Sequence, residues 1–105
     1  MSTATITTTF SPKAPGEVII VGMDFTKLVA APINPVVSIT WVDGVADAAP
    51  SAMLSGGASV AGSVVKQKLI GGVAGAAYRL LFQVDTADGT GQRFIEPGLI
   101  RVADA

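Results

Sequence analysis

Apolar and polar positions along this chain alternate with a period of two. In "VVSITWV" (Val36 to Val42), Val37, Ile39 and Trp41 fall on one side, Ser38 and Thr40 on the other. In "SVVKQKLI", Val65, Gln67 and Leu69 oppose Lys66 and Lys68. "YRLLFQVDT" sets Tyr78, Leu80, Phe82 and Val84 against Arg79, Gln83 and Asp85. Successive side chains of a strand point to opposite faces, so each run predicts a strand with one face buried. "EVIIVGMDF" (Glu17 to Phe25) is rich in β-branched residues and predicts another. "QRFIEPGLIRV" predicts a last strand, interrupted at Glu96-Pro97-Gly98 because Pro cannot donate to a ladder.

The punctuation between these runs agrees. Asp43-Gly44, Gly56-Gly57 and Asp88-Gly89 are turn dipeptides, and Asp88-Gly89 should connect a hairpin. The one helix-tolerant stretch, Phe25 to Ala31, is short and ends at Pro32. Val45 to Gly62 is small, weakly charged and poor in pattern, which predicts a loop or a weak edge strand around Ala52 to Leu54. "STATITTTFSP" at the start is Thr-rich and strand-prone. It is either a first strand or an arm that adds to a neighbouring subunit's sheet edge. Short strands joined by Gly and Pro turns in one small domain predict an all-β fold, a single Ig-like antiparallel β-sandwich of about seven strands. The expected division is an N-terminal strand or arm over 1–11 and the sandwich over 12–105. The expected core is Phe25, Ile39, Trp41, Leu69, Leu80, Phe82 and Val84.

"GGVAGAAY" (Gly71 to Tyr78) stands out by crowding three glycines ahead of the only tyrosine. In Ig-like sandwiches a tyrosine near the start of the sixth strand sends its hydroxyl back to backbone a few residues upstream. The tight reversal before it favours residues that accept positive φ. Gly71, Gly72, Gly75 and Tyr78 therefore form a candidate structural corner; the alternative is an ordinary half-buried aromatic after a loop.

Composition narrows the role. Half of the 105 residues are hydrophobic and only 14% are charged, against about 25% in an average soluble domain. Sparse charge has two readings: surface covered by partners, or an Ala/Gly-rich coding bias. Net charge is −1 and the seven basic residues are scattered, which argues against direct nucleic-acid binding. No apolar run approaches the roughly 18 residues that span a bilayer, so no membrane partner is expected. The start lacks the charged and apolar regions of a secretory signal, and a cytoplasm-like compartment is expected.

Reactive chemistry is missing. Without His or Cys the chain lacks the commonest general base, the thiol nucleophile and the commonest metal ligands. Asp43 with Asp47, or Asp85 with Asp88, offers too few oxygens for calcium and is expected at turns. Neither Gly-rich stretch ends in the Lys-Ser/Thr of a phosphate loop. No enzyme, metal or cofactor is expected. Trp41 and Phe25 could stack on sugars if exposed, but Trp41 shares a face with Val37 and Ile39, which predicts core.

"PKAPGEVIIVGMDFTKLV", "LIGGVAGAAYRLLFQVDTADG" and the terminal "LIRV" together resemble a family of small phage structural proteins, the tail or fibre–tail adaptors of tailed bacteriophages. The matching positions are Pro12, Lys13, Glu17, Val18, Asp24, Phe25, Leu28, Gly71, Gly72, Gly75, Tyr78, Thr86 and Gly89. The resemblance covers most of Pro12 to Val102 and departs at Pro97-Gly98, where relatives run on smoothly. It implies a virion component assembled in the host cytoplasm, without enzymatic activity. It also implies portal, tail or fibre proteins as partners and several copies arranged in a ring. The alternatives are an Ig-like capsid decoration or a module binding host-surface carbohydrate.

Overall fold

The structure is a computed structural model and describes residues 8–25, 32–87 and 91–103. Three expectations lie outside the described residues: the Asp88-Gly89 hairpin turn, all but the first residue of the helix-tolerant stretch, and the start of the Thr-rich segment.

Among the described residues seven strands run in chain order: β1 (Thr8–Thr9), β2 (Ile19–Asp24), β3 (Pro32–Gly44), β4 (Leu54–Ala61), β5 (Val64–Leu69), β6 (Ala76–Thr86) and β7 (Arg93–Arg101). A 3-10 turn, Pro50–Met53, precedes β4. The strands form two sheets, β1-β7-β6-β3 and β2-β5-β4. A constant-type immunoglobulin domain pairs its strands A-B-E-D and C-F-G. Read as A to G, β1 to β7 keep B-E-D and G-F-C. The first strand has moved across to run parallel to the last, Thr8 beside Gly98 and Thr9 beside Leu99. The protein is an all-β sandwich, Ig-like in strand order.

The core lies where the alternation turns the two sheets toward each other. Val21, Met23 and Phe25 enter from the β2 side, Val65 and Leu69 from β5, and Tyr78, Leu80, Phe82 and Val84 from β6; all are buried, as are Ile39 and Ile100. Burying a side chain of this size contributes about 1.5–3 kcal/mol, so the central strand β6 carries a large share of the driving force. Phe10 packs beside Gly98, with its ring centroid 5.9 Å from that of Phe82.

Three expectations need correction. Trp41 is not a core residue: it stands opposite Tyr78, yet it is 39% exposed. Among the described residues β3 is the edge of its sheet, and its register slips just past Trp41, between Trp41 and Asp43. The last strand is not broken at Pro97, since the β6–β7 register runs without a shift from Ala77–Arg101 to Asp85–Arg93. Even-numbered residues of β7 face β6, as the bond from Thr86 N–H to Gln92 C=O shows. Pro97 lies at an odd position, where its missing N–H points away from β6. Finally, Leu54–Ala61 is a full strand on β5 despite its glycines, with a register shift between Ser55 and Ser59. The buried Gln67 side chain bridges that irregularity by donating to Gly56 C=O at 3.1 Å.

Candidate functional site

The residues singled out by sequence meet at one end of the sandwich. Gly71, Gly72 and Gly75 take φ of 59°, 100° and 83°, the region that a side chain disfavours. They carry the chain from β5 into β6, and Ala76 N–H closes the turn on Val73 C=O at 3.0 Å. Tyr78 follows, fully buried. Its hydroxyl accepts the Val73 N–H at 3.0 Å, five residues upstream, and donates to Asp47 Oδ2 at 2.7 Å. Burial and the Asp47 bond both raise the phenol above its ordinary value. Asp47 Oδ1 accepts the Ala49 N–H at 2.8 Å, so one carboxylate holds both the β3–β4 connection and the corner.

Lys13 joins from the other direction. Its side chain is buried, and Nζ donates to Gly71 C=O at 2.6 Å, Ala14 C=O at 2.9 Å and Pro15 C=O at 3.4 Å. An ammonium has three donors, and here each meets a carbonyl. Burial pushes this ammonium below the ordinary lysine value, and the nearby Glu17 carboxylate opposes the shift. Glu17 shapes the same turn, accepting the Ala14 N–H at 2.6 Å while its own N–H donates to Ala14 C=O at 3.0 Å. Thus Lys13, Glu17, Gly71, Gly72, Gly75 and Tyr78 assemble into one corner. Asp24, Phe25 and Thr86 lie elsewhere on the strands, and Leu28 and Gly89 fall outside the described residues. Sequence reasoning missed Asp47 and the burial of Lys13. The one available signal for Lys13 was its setting in "PKAPG", with no charged neighbour before Glu17.

In this corner Lys13 Nζ, Glu17 Oε1, both Asp47 oxygens and the Tyr78 hydroxyl are each engaged in holding a loop. Among the described residues no group of three or more acidic, His or Cys side chains could hold a metal.

The surface that remains is the outer face of the four-stranded sheet. Val36 on β3, Leu81 on β6 and Ile95 on β7 all point outward and are 51%, 37% and 44% exposed. Leu81 lies opposite Pro97, and Gln83 lies between Val36 and Ile95, so these apolar side chains gather across three strands around Gln83. Toward the corner the same face holds a hollow of about 260 Å3, bordered by Phe10, Pro12, Val42, Ala77 and Leu99. Arg79 on β6 is exposed on the same face, between Thr40 and Leu99, and the other charges nearby sit toward the strand ends. Arg93 pairs with Asp85 at 2.8 Å and Arg101 approaches Asp43 at 3.9 Å. Exposed apolar side chains gathered on a sheet face, here with Gln83 among them and Arg79 beside them, are a common feature of docking surfaces.

Residues 13–95 match the sequence model of the family described as podophage GP4 fiber-tail adaptor protein gp77. No curated protein and no solved structure matches the chain.

Proposed function

We propose that this chain, which belongs to the podophage GP4 fiber-tail adaptor protein gp77 family, is a non-enzymatic adaptor joining a tail or portal–neck part to tail fibres. Membership carries the broad statement: a structural component of a phage particle that meets tail and fibre proteins. The observation supporting the finer reading is the apolar group of Val36, Leu81 and Ile95 on the outer sheet face. Three adjacent strands hold these side chains at fixed spacing, so a partner meets a surface that needs no ordering on binding. Several copies set in a ring, assembled in the host cytoplasm, would each present this face to one virion neighbour.

A second reading, host carbohydrate binding, has Trp41 in its favour, because its indole is partly open. Among the described residues no second aromatic stacks beside it, and the adaptor reading accounts for more of the surface.

Charging this group tests the proposal. Leu81→Glu and Val36→Glu point outward, so both variants should keep the strand spectrum of the parent. Their incorporation into particles should fall about tenfold or more, the effect of losing ~1.4 kcal/mol or more of binding. Normal incorporation of the folded variants overturns the assignment of this face.

A further inference from the structure

The three-stranded sheet turns a second face to solvent. Alternation sends Val21, Met23, Val65, Gln67 and Leu69 into the sandwich and leaves Ile20, Gly22, Lys66 and Lys68 outside. Across the strands, pairing sets Ile20, Lys68 and Ser55 in one row and Gly22, Lys66 and Ser59 in the next. Val18, just before β2 and in phase with Ile20, extends this face. Val18 and Ile20 are 60% and 66% exposed, more than Val36, Leu81 or Ile95 on the opposite side.

The charge here is one-sided. Lys66 and Lys68 stand on the same side of the central strand, about 7 Å apart along it. Their neighbours across the strands are Gly22, Ser59, Ile20 and Ser55, so no carboxylate lies opposite either ammonium. Among the described residues neither lysine forms an ion pair. Asp24, at one end of the face, accepts the Ser63 hydroxyl at 3.2 Å, and Glu17, beyond the other, accepts the Ala14 N–H at 2.6 Å. Two lysines are too few for a nucleic-acid backbone, which needs a concentrated positive field. Val18 and Ile20 also call for apolar groups beside the anions, which a protein surface supplies. A second copy of this chain does not offer a matching acidic face among the described residues. Asp85 is paired with Arg93, Asp43 stands beside Arg101, Asp47 holds Tyr78, and Glu96 lies opposite Phe82 on the inward side.

We propose that the outer face of β2, β5 and β4 is a second docking surface, for an acidic protein surface that sets carboxylates over Lys66 and Lys68 and apolar side chains over Val18 and Ile20. This rests on the adaptor reading, which requires two partners, and extends it to the second of them. The two outer faces lie on opposite sides of the core. With Val36, Leu81 and Ile95 seated on the particle, the lysine face is turned to the fibre protein. Complementary charge guides and orients that contact, and the apolar pair adds burial.

The test uses phage particles made with the full chain carrying Lys66→Glu and Lys68→Glu, with the chain and the fibre protein each quantified per particle. The chain should be incorporated at the parental level while fibre protein falls about tenfold or more. Lys66→Arg with Lys68→Arg keeps the charge and should keep the fibres. These side chains point to solvent, so an unchanged strand spectrum and urea midpoint should show the fold intact. Binding of the purified chain to fibre protein isolated from particles gives a second reading. It should weaken as NaCl rises from about 0.1 M to about 1 M, because the screening length shrinks from about 10 Å to about 3 Å. Lys66→Gln with Lys68→Gln, which removes charge without reversing it, should lose most of this dependence. Parental fibre content in the Glu variant, loss of the folded chain itself from particles, or parental salt dependence in the Gln variant overturns the proposal. Failure of the adaptor reading looks different: particles made without the chain would still carry fibres.

Discussion

Removing one oxygen tests the corner. Tyr78→Phe keeps the buried ring and deletes the hydroxyl that accepts the Val73 N–H at 3.0 Å and donates to Asp47 at 2.7 Å. A neutral hydrogen bond contributes about 0.5–1.5 kcal/mol and one to a charged group about 1.5–3 kcal/mol. The sum, about 2–4.5 kcal/mol, is an upper range. Val73 and Asp47 are only partly buried, and water can reach both after the change. A loss of about 2–3 kcal/mol is expected. With a urea slope of about 1–3 kcal/mol per M, the midpoint should fall by roughly 0.7–3 M. A double-mutant cycle separates the two bonds. If the Asp47 bond dominates, Tyr78→Phe and Asp47→Ala together should cost about 1–2 kcal/mol less than their sum, the coupling range of directly bonded groups. A single-variant loss under about 0.5 kcal/mol, or an additive cycle, would refute the reasoning.

Gly72→Ala should cost about 2–4 kcal/mol, because φ is 100° and the new Cβ would lie 2.7 Å from Val102 Cγ2 and 3.2 Å from Met53 Cε. Gly71→Ala, with open space around its Cβ, should cost about 1–2 kcal/mol, and equal melting temperatures for the two variants would contradict this. Burial raises the Glu96 carboxyl above its ordinary value. As pH rises the unfolded chain ionises first, so stability falls from the ordinary carboxylate value up through the raised one and then levels. Glu96→Gln should therefore be more stable than the parent in urea at pH 7 and equal to it near pH 3. A difference of the same size at both values would show that the carboxyl charge is not the cause.

What the sequence shows and what it hides divide along a physical line. Five strands were legible because one face of each is buried, and burial imposes period two on residues such as Leu80, Phe82 and Val84. β4 was not legible. Its Ser-Gly-Gly-Ala-Ser stretch has no apolar face of its own, and its pairing comes from β5 and the Gln67 amide. β3 extends through Pro32 and Pro35 because a register shift between Ile33 and Val36, with Asn34 at φ 52°, absorbs the second proline. Trp41 obeys the alternation and is still half open, since periodicity assigns a face but not whether anything covers it. The glycines and Tyr78 could be grouped because they are neighbours in sequence. Asp47 lies 31 residues from its partner, and no local pattern marks a turn aspartate as the acceptor of a buried phenol.

The buried polar groups share one role. Lys13 ties the start of the domain to Gly71, Gln67 ties β5 to the irregular part of β4, and Tyr78 ties the corner to Asp47. A domain of 105 residues has a modest core, and this one has no cysteine for disulfide staples. Internal hydrogen bonds fix its loops instead, and removing one partner forfeits that bond. Such groups are unavailable for chemistry, because an ammonium already shared among three carbonyls cannot also serve a substrate. The outer sheet face has no such commitments. Val36, Leu81 and Ile95 stand largely in water, and under the proposed adaptor reading a partner protein covers them.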